Sequence, residues 1–210
     1  MQEEIVKTNL DRASQFYSMM NERRSIRSFS DKDIPLDVLK ECIKVAGTAP
    51  SGANRQPWYF ALVVDPILKA KIREAAEKEE LDFYQRKASD DFLRDLLPFG
   101  TSWKKAHLTE ACALIVIFSK SFDFIGEEKL KCYYPKECVG IATGMLITSL
   151  HRLGIGTLTH TPSPMSFLNN VLDRPSHEKA FMILAVGHKS SSYIPPKITR
   201  KPFHQICDVY

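Results

Sequence analysis

The sequence predicts an α+β sandwich, with helices packed around a sheet of short buried strands. Unbroken apolar runs at 58–64 and 111–118 have the length and composition of strands covered on both faces. Stretches with helical spacing of apolar residues, at 36–47 and 137–153, lie between and after them. No G-x-G-x-x-G follows a strand and no G-x-x-x-x-G-K-[ST] occurs, so the Rossmann and P-loop architectures lose support. At 210 residues the chain is expected to form a single domain spanning 1–210.

Taken in order, a short amphipathic stretch ends at the pentad Arg23-Arg24-Ser25-Ile26-Arg27. After Pro35, the residues Val38, Leu39, Cys42, Ile43 and Ala46 mark one helix face, placing a helix at 36–47 with Gly47 near its end. The turn-rich segment Pro50-Ser51-Gly52-Ala53-Asn54 leads into the first strand at 58–64. Charges are dense and apolar positions sparse over 67–86, which reads as a long helix lying largely on the surface. The run 111–118 lacks polar alternation and is a second buried strand. Over 137–153, Val139, Ile141, Ala142, Met145, Leu146, Ile147 and Leu150 are apolar nearly all round, which marks a central helix in a core or a subunit interface, ended by Gly154. A short strand at 155–159, a helix at 165–172 and a final buried strand at 180–186 follow. The tail 190–210 holds Pro195, Pro196 and Pro202 with little periodicity, as expected of an extended arm that lies on another surface.

Composition narrows the function. With 44% hydrophobic and 26% charged residues the chain is ordinary globular material, and a net charge of +4 gives no case for nucleic acid. The five cysteines are odd in number, lack C-x-x-C spacing and mostly sit in apolar runs, which suggests a reducing compartment. Residues 1–10 hold charges and no apolar core of a signal peptide, and no apolar run approaches the roughly 18 residues of a membrane span. The expectation is a cytoplasmic protein without a membrane partner. No two histidines stand at metal-ligand spacing and no serine sits in a G-x-S-x-G elbow, so neither a metal site nor a hydrolase is expected.

What remains is a set of polar loops. Three guanidinium groups within five residues, with a hydroxyl beside them, match phosphate oxygens, although arginines in a run also form solvated faces. Beside the pentad stand 50–58, Thr159-His160-Thr161-Pro162 and Arg200-Lys201. Together they look like a site for flavin mononucleotide (FMN).

The pentad, Ala49-Pro50-Ser51-Gly52-Ala53, Gln56-Pro57-Trp58, the central helix and Arg200-Lys201-Pro202 resemble the nitroreductase family of FMN enzymes over about 20–206. Within it the chain is most similar to the branch of iodotyrosine deiodinases and their bacterial homologues. The resemblance implies a nitroreductase-like fold: a mixed, mostly antiparallel sheet surrounded by helices, in a domain-swapped homodimer with cofactor sites at the subunit interface. It implies a mobile active-site lid within 66–108 and an arm at 190–210 reaching the partner subunit. For FMN it implies Arg23, Arg24, Ser25 and Arg27 at the phosphate and ribityl chain, joined by Arg200. Pro50, Ser51 and Gly52 would lie beside the ring, where a residue without a side chain admits a ligand closely. Thr159, His160 and Thr161 complete the set. The Thr161 hydroxyl would bond the flavin N5 and, as both donor and acceptor, serve oxidised and one-electron-reduced flavin alike. His160 reads as a backbone donor, with no carboxylate partner evident for its ring. The Ala53 N–H would hold a substrate phenolate, so Thr161 and Ala53 are the catalytic candidates. Glu80, Tyr84 and Lys105 match the lid residues that grip the amino-acid end of the substrate: an ammonium for Glu80, a carboxylate for Lys105 and a polar edge for Tyr84. Local sequence alone would assign Glu80 and Lys105 to a solvated surface.

The activity implied is FMN-dependent reductive dehalogenation of halotyrosines, 3-iodotyrosine going to tyrosine and iodide. Electrons would come from NAD(P)H or an external flavin reductase. Two alternatives are a general NAD(P)H nitroreductase or quinone reductase, and a non-catalytic sensor binding flavin or an amino acid. Asn54, where the branch usually has histidine, and Pro135-Lys136 before the central helix are departures that bear on substrate preference.

Overall fold

In the computed structural model, which describes residues 2–210, a four-stranded sheet separates two layers of helices. Its order is β1 (Trp58–Val63), β2 (Ala113–Lys120), β6 (Glu178–Gly187) and β5 (Gly156–His160), each hydrogen-bonded pair antiparallel. The central β2 explains why its sequence shows no alternation. Leu114, Val116 and Phe118 pack into one core, and Ala113, Ile115 and Ile117 into the other, all fully buried. Against the first face lie α3 (Pro66–Asp82), α5 (His107–Glu110) and α7 (Phe167–Val171), through Ile72, Ala76, Leu108 and Leu168. Against the second lie α2 (Leu36–Gly47) and α6 (Pro135–Arg152), through Leu39, Cys42, Ala46, Val139, Leu146 and Leu150.

The expected helices at 36–47, 137–153 and 165–172 and the four expected strands are all present, with ends shifted by at most two residues. The segment 67–86 differs from its reading. Its helix α3 ends at Asp82 and passes into a π-helical turn, Phe83–Lys87, and it is no surface helix, since Ile72 and Ala76 are fully buried. Two apolar positions four residues apart suffice to seat a helix on a sheet, and their weak signal was hidden among charges. Asp65 fixes where it starts, its Oδ1 accepting the N–H groups of Ile67 at 2.7 Å and Leu68 at 2.9 Å.

The helix α4 (Asp90–Leu96), the one-turn α5 and a hairpin of β3 (Phe122–Ile125) with β4 (Glu128–Lys131) lie outside the sequence expectations, and α1 (Gln2–Asn21) is far longer than the short amphipathic stretch expected before the pentad. Neither α1 nor α4 has a core-facing stripe to announce it: Ile5, Val6, Leu10, Phe16 and Tyr17 of α1 are exposed, and α4 buries no residue.

The parallel character expected of the sheet is confined to one bridge, Ser25 to Thr157, where the arginine pentad runs along the free edge of β5 and Ile26 N–H donates to the Thr157 carbonyl at 3.0 Å. Gly156 permits this approach. A Cβ there would stand 2.8 Å from Ile26 Cγ1 and 3.1 Å from the Gly187 carbonyl oxygen. Gly156→Ala should therefore cost about 1–3 kcal/mol of stability, seen as a lower urea midpoint. An unchanged midpoint would show that the pentad is free to shift outward.

Candidate active site

The pentad sets Arg23 and Arg24 close together before Ile26, which packs inward and is buried beneath the β5 edge. Arg24 closes the end of α1, its Nη1 donating to the carbonyls of Asn21 at 3.0 Å and Arg23 at 3.1 Å. From the tail, Arg200 Nη2 donates to the Arg23 carbonyl of the same chain at 3.0 Å. Among the described residues no ion pair includes Arg23, Arg24, Arg27 or Arg200. Burial, then the charges of Arg200 and Arg24, push the Arg23 pKa below its ordinary value. Crowded cations with no carboxylate to neutralise them are what a phosphate dianion would relieve, so these residues fit the terminal group of FMN. Arg23 and Ser25 line a groove of about 390 Å³ together with Thr157, Thr159 and residues of α6.

A second cavity, of about 400 Å³, opens on the other side of Thr159, which lines both. It collects Glu80, Tyr84, Lys105, Thr159, His160 and Thr161, residues spread over α3, the π-helical turn, the loop before α5 and the end of β5. The end of α3 delivers Glu80 and the π-helical turn delivers Tyr84. Lys105 Nζ meets Glu80 Oε2 at 2.9 Å, the lysine side chain buried at 6% exposure and the glutamate nearly so at 12%, and the ammonium lies 5.3 Å from the centre of the Tyr84 ring. Burial raises the Tyr84 phenol pKa, a bond with Thr101 opposes the rise and Glu80 adds to it.

The backbone of Lys105 is fixed separately. Glu77, one turn before Glu80 on α3, accepts the Lys105 N–H and the Arg73 Nε–H on one oxygen, each at 2.7 Å. Burial opposes its ionisation, but these bonds hold the Glu77 carboxyl below the usual carboxylate range. Arg73 also donates to Thr109 Oγ1 at 2.8 Å, tying α3 to α5. Phe83, Phe92 and Leu96 wall the cavity, and the rings of Phe83 and Phe92 meet edge to face at 5.5 Å.

Other expected residues fall elsewhere. Arg27 lines the second cavity and not the groove of Arg23, its guanidinium 5.1 Å from the Phe99 ring centre. Pro50, Ser51, Gly52 and Ala53 line neither cavity of this chain. They form a tight turn in which Ser51 Oγ accepts the Gln56 N–H at 2.9 Å and Ala53 takes a φ of 50°. The space left by the missing Gly52 side chain is filled by Tyr133, whose Cβ would be 2.9 Å from an added Cβ. The glycine is thus required by packing within the chain.

The His160 ring does have a carboxylate neighbour, contrary to its sequence reading: Glu80 Oε1 lies 3.9 Å from Nε2. That is too long for a hydrogen bond. Burial, then His107 and Lys105, push the His160 pKa down to about 3, so the ring is neutral. His107, absent from the sequence candidates, packs edge to face on it at 5.3 Å and lines the same cavity. Burial and the cations Lys105, Arg27 and Arg73 lower its pKa to about 4. No local signal marked His107, because its role depends on a ring that is distant in sequence.

The nitroreductase family model matches residues 20–188. An iodotyrosine deiodinase of Haliscomenobacter hydrossis is 45% identical over 202 residues, covering 96% of this chain and 91% of that protein. Iodotyrosine deiodinase 1 of Homo sapiens is 40% identical, over 95% of this chain and 70% of that protein. Among solved structures, oxidised iodotyrosine deiodinase bound to FMN and 3-iodo-L-tyrosine superposes with a TM-score of 0.79 at 31% identity, covering 89% of this chain and 95% of that one. A Bacteroides fragilis nitroreductase with bound FMN shares the fold, with a TM-score of 0.68 at 19% identity and cover of 93% and 98%.

Proposed function

Because the chain belongs to the nitroreductase family, we propose that it removes halogen reductively from halotyrosines, as an FMN-dependent oxidoreductase converting 3-iodotyrosine to tyrosine and iodide. One observation carries the choice of substrate: a buried lysine and glutamate, paired with each other beside a tyrosine, in a cavity that shares Thr159 with an arginine-lined groove. An amino-acid zwitterion offers what that pair lacks, an ammonium for Glu80 and a carboxylate for Lys105. The aromatic wall of Phe83 and Phe92 excludes water from the ring held between.

Arg23, Arg24, Ser25 and Arg200 hold the cofactor phosphate in this reading, and Thr159 to Thr161 face its ring. When bound, FMN supplies the two electrons that, with one proton, replace carbon–iodine by carbon–hydrogen and release iodide. Thr161 presents a hydroxyl at the cavity wall that can donate or accept, suited to a ring nitrogen in either protonation state. The electrons enter from NAD(P)H or from a separate flavin reductase.

The functional unit is a homodimer in which the Pro50–Ala53 turn of a second copy completes the site, bringing the Ala53 N–H to the phenolate. What supports this is that the turn lines neither of the two cavities described above. Apolar side chains on α1, on α6 at Ile141 and on the tail at Ile194 and Ile206 also stand exposed. The lid is the part around α4, which buries no residue and so opens at low cost. No helix among the described residues is long and apolar enough to cross a membrane, and all five thiols are free, in keeping with a cytoplasmic enzyme.

Anaerobic incubation of dithionite-reduced protein with 3-iodotyrosine should release stoichiometric iodide. Rapid reduction of nitroaromatics with no iodide released would replace the reading by a general nitroreductase. Quenching of flavin fluorescence by iodotyrosine with turnover of neither compound would indicate a sensor.

A further inference from the structure

Glu80 has two carboxylate oxygens in unequal surroundings. Oε2 is bonded to Lys105 at 2.9 Å, whereas Oε1 faces His160 Nε2 across 3.9 Å. His160 is 7% exposed, and its Nε2 is buried without a hydrogen-bond partner. A buried polar atom left unpaired is costly, and one that stands about 1 Å short of a carboxylate has an obvious use in another state of the site. The groups around it come from two elements besides its own strand: Glu80 from α3, and His107 with Lys105 from the segment leading into α5.

We infer that His160 is a positioning residue for Glu80, its Nε2–H taking one carboxylate oxygen when a bound amino acid draws Lys105 away from the other. The inference rests on the halotyrosine reading. Without ligand, Lys105 satisfies Glu80 alone. With ligand, the Lys105 ammonium turns to the substrate carboxylate, and Glu80 must hold the substrate ammonium by itself. A second donor then fixes the carboxylate in place and offsets the loss of its former partner. A neutral imidazole serves this purpose better than a charged one, since it adds a donor without competing for the carboxylate as a second cation.

The test uses FMN-loaded protein, with 3-iodotyrosine affinity read from flavin fluorescence and turnover from iodide release. His160→Phe keeps the ring and removes the donor. It should weaken binding and raise KM by roughly tenfold, with kcat within about twofold and FMN retained. His160→Gln carries its amide nitrogen to the Nε2 position and should recover most of the affinity, whereas the shorter amide of His160→Asn should not. That amide pair answers the question if the phenylalanine variant loses flavin. Equal behaviour of the glutamine and asparagine variants, or a fall in kcat with KM unchanged, overturns the inference. If wild-type protein binds no halotyrosine, the functional reading fails and takes the inference with it. Tight wild-type binding that His160→Phe leaves intact removes the inference alone.

Discussion

Replacing Lys105 by methionine should lower halotyrosine affinity by at least about a hundredfold while leaving FMN bound. Its ammonium is the only side-chain partner of Glu80 within 3 Å among the described residues, and both groups are withdrawn from water. Removing one member of a buried ion pair strands the other, which typically costs about 3–5 kcal/mol. The substitution therefore acts twice, once on the substrate carboxylate and once on fold stability, and the two effects can be separated. A Glu80→Gln/Lys105→Met double variant leaves no isolated charge, so it should regain most of the urea midpoint and still bind no halotyrosine. A single variant that binds iodotyrosine within threefold of wild type would remove Lys105 from the site. Because the Lys105 backbone is held by Glu77, loss of the side chain should not unravel the turn that carries it.

Acid should destabilise the protein from pH 6.5 downward, earlier than carboxylate protonation explains. His107 and His160 are depressed from 6.5 to about 4 and about 3. Below pH 6.5 the unfolded chain binds protons at both histidines, while the folded one does not. The unfolded state thus holds more protons, and stability falls as pH falls, until the folded values are passed. Glu77 and Asp123 lie below their ordinary values of 4.5 and 3.8, so their contributions are lost at lower pH still. The window from 6.5 to 4.5 isolates the imidazoles, each contributing about 2–3 kcal/mol across it. Melting temperature measured through this window should slope steeply, and His107→Phe should flatten the slope. A flat wild-type profile would mean that water or a rearrangement already reaches the two rings.

The fold was legible where burial wrote a pattern. The apolar run ending at Phe118 reads as a strand covered on both faces because β2 contributes alternate side chains to two cores. The helix containing Leu39, Cys42 and Ala46 reads directly because one face is buried and the other is not. In contrast the length of α1 was not legible beyond a short amphipathic stretch, since its apolar residues from Ile5 to Tyr17 face outward in the single chain. The site was legible only through resemblance. Glu80 stands in Glu77-Lys78-Glu79-Glu80, a sequence typical of a solvated helix, and what buries it is Lys105, contributed by a loop 25 residues later in the chain. Arg27 shows the opposite case. Its neighbours suggested a shared phosphate role, but the buried Ile26 divides the pentad and sends Arg27 to the other cavity. His107 could not be found locally, because its surroundings come from edge-to-face contact with His160 on β5, far away in the sequence.

Glu77 and Glu80 stand one turn apart on α3, the first holding the Lys105 amide and the second its ammonium. Both ends of that lysine are therefore referenced to a single helix. When α3 shifts, the three groups proposed to recognise an amino acid move in concert, like the jaws of a tool on a common handle, while the arginine groove stays with the edge of β5. Selectivity for the amino-acid end and chemistry at the ring are thereby mechanically decoupled. Substitutions on α3 can retune which amines are admitted without resetting the electron-transfer half, so new substrates are accessible to this scaffold through changes on one helix.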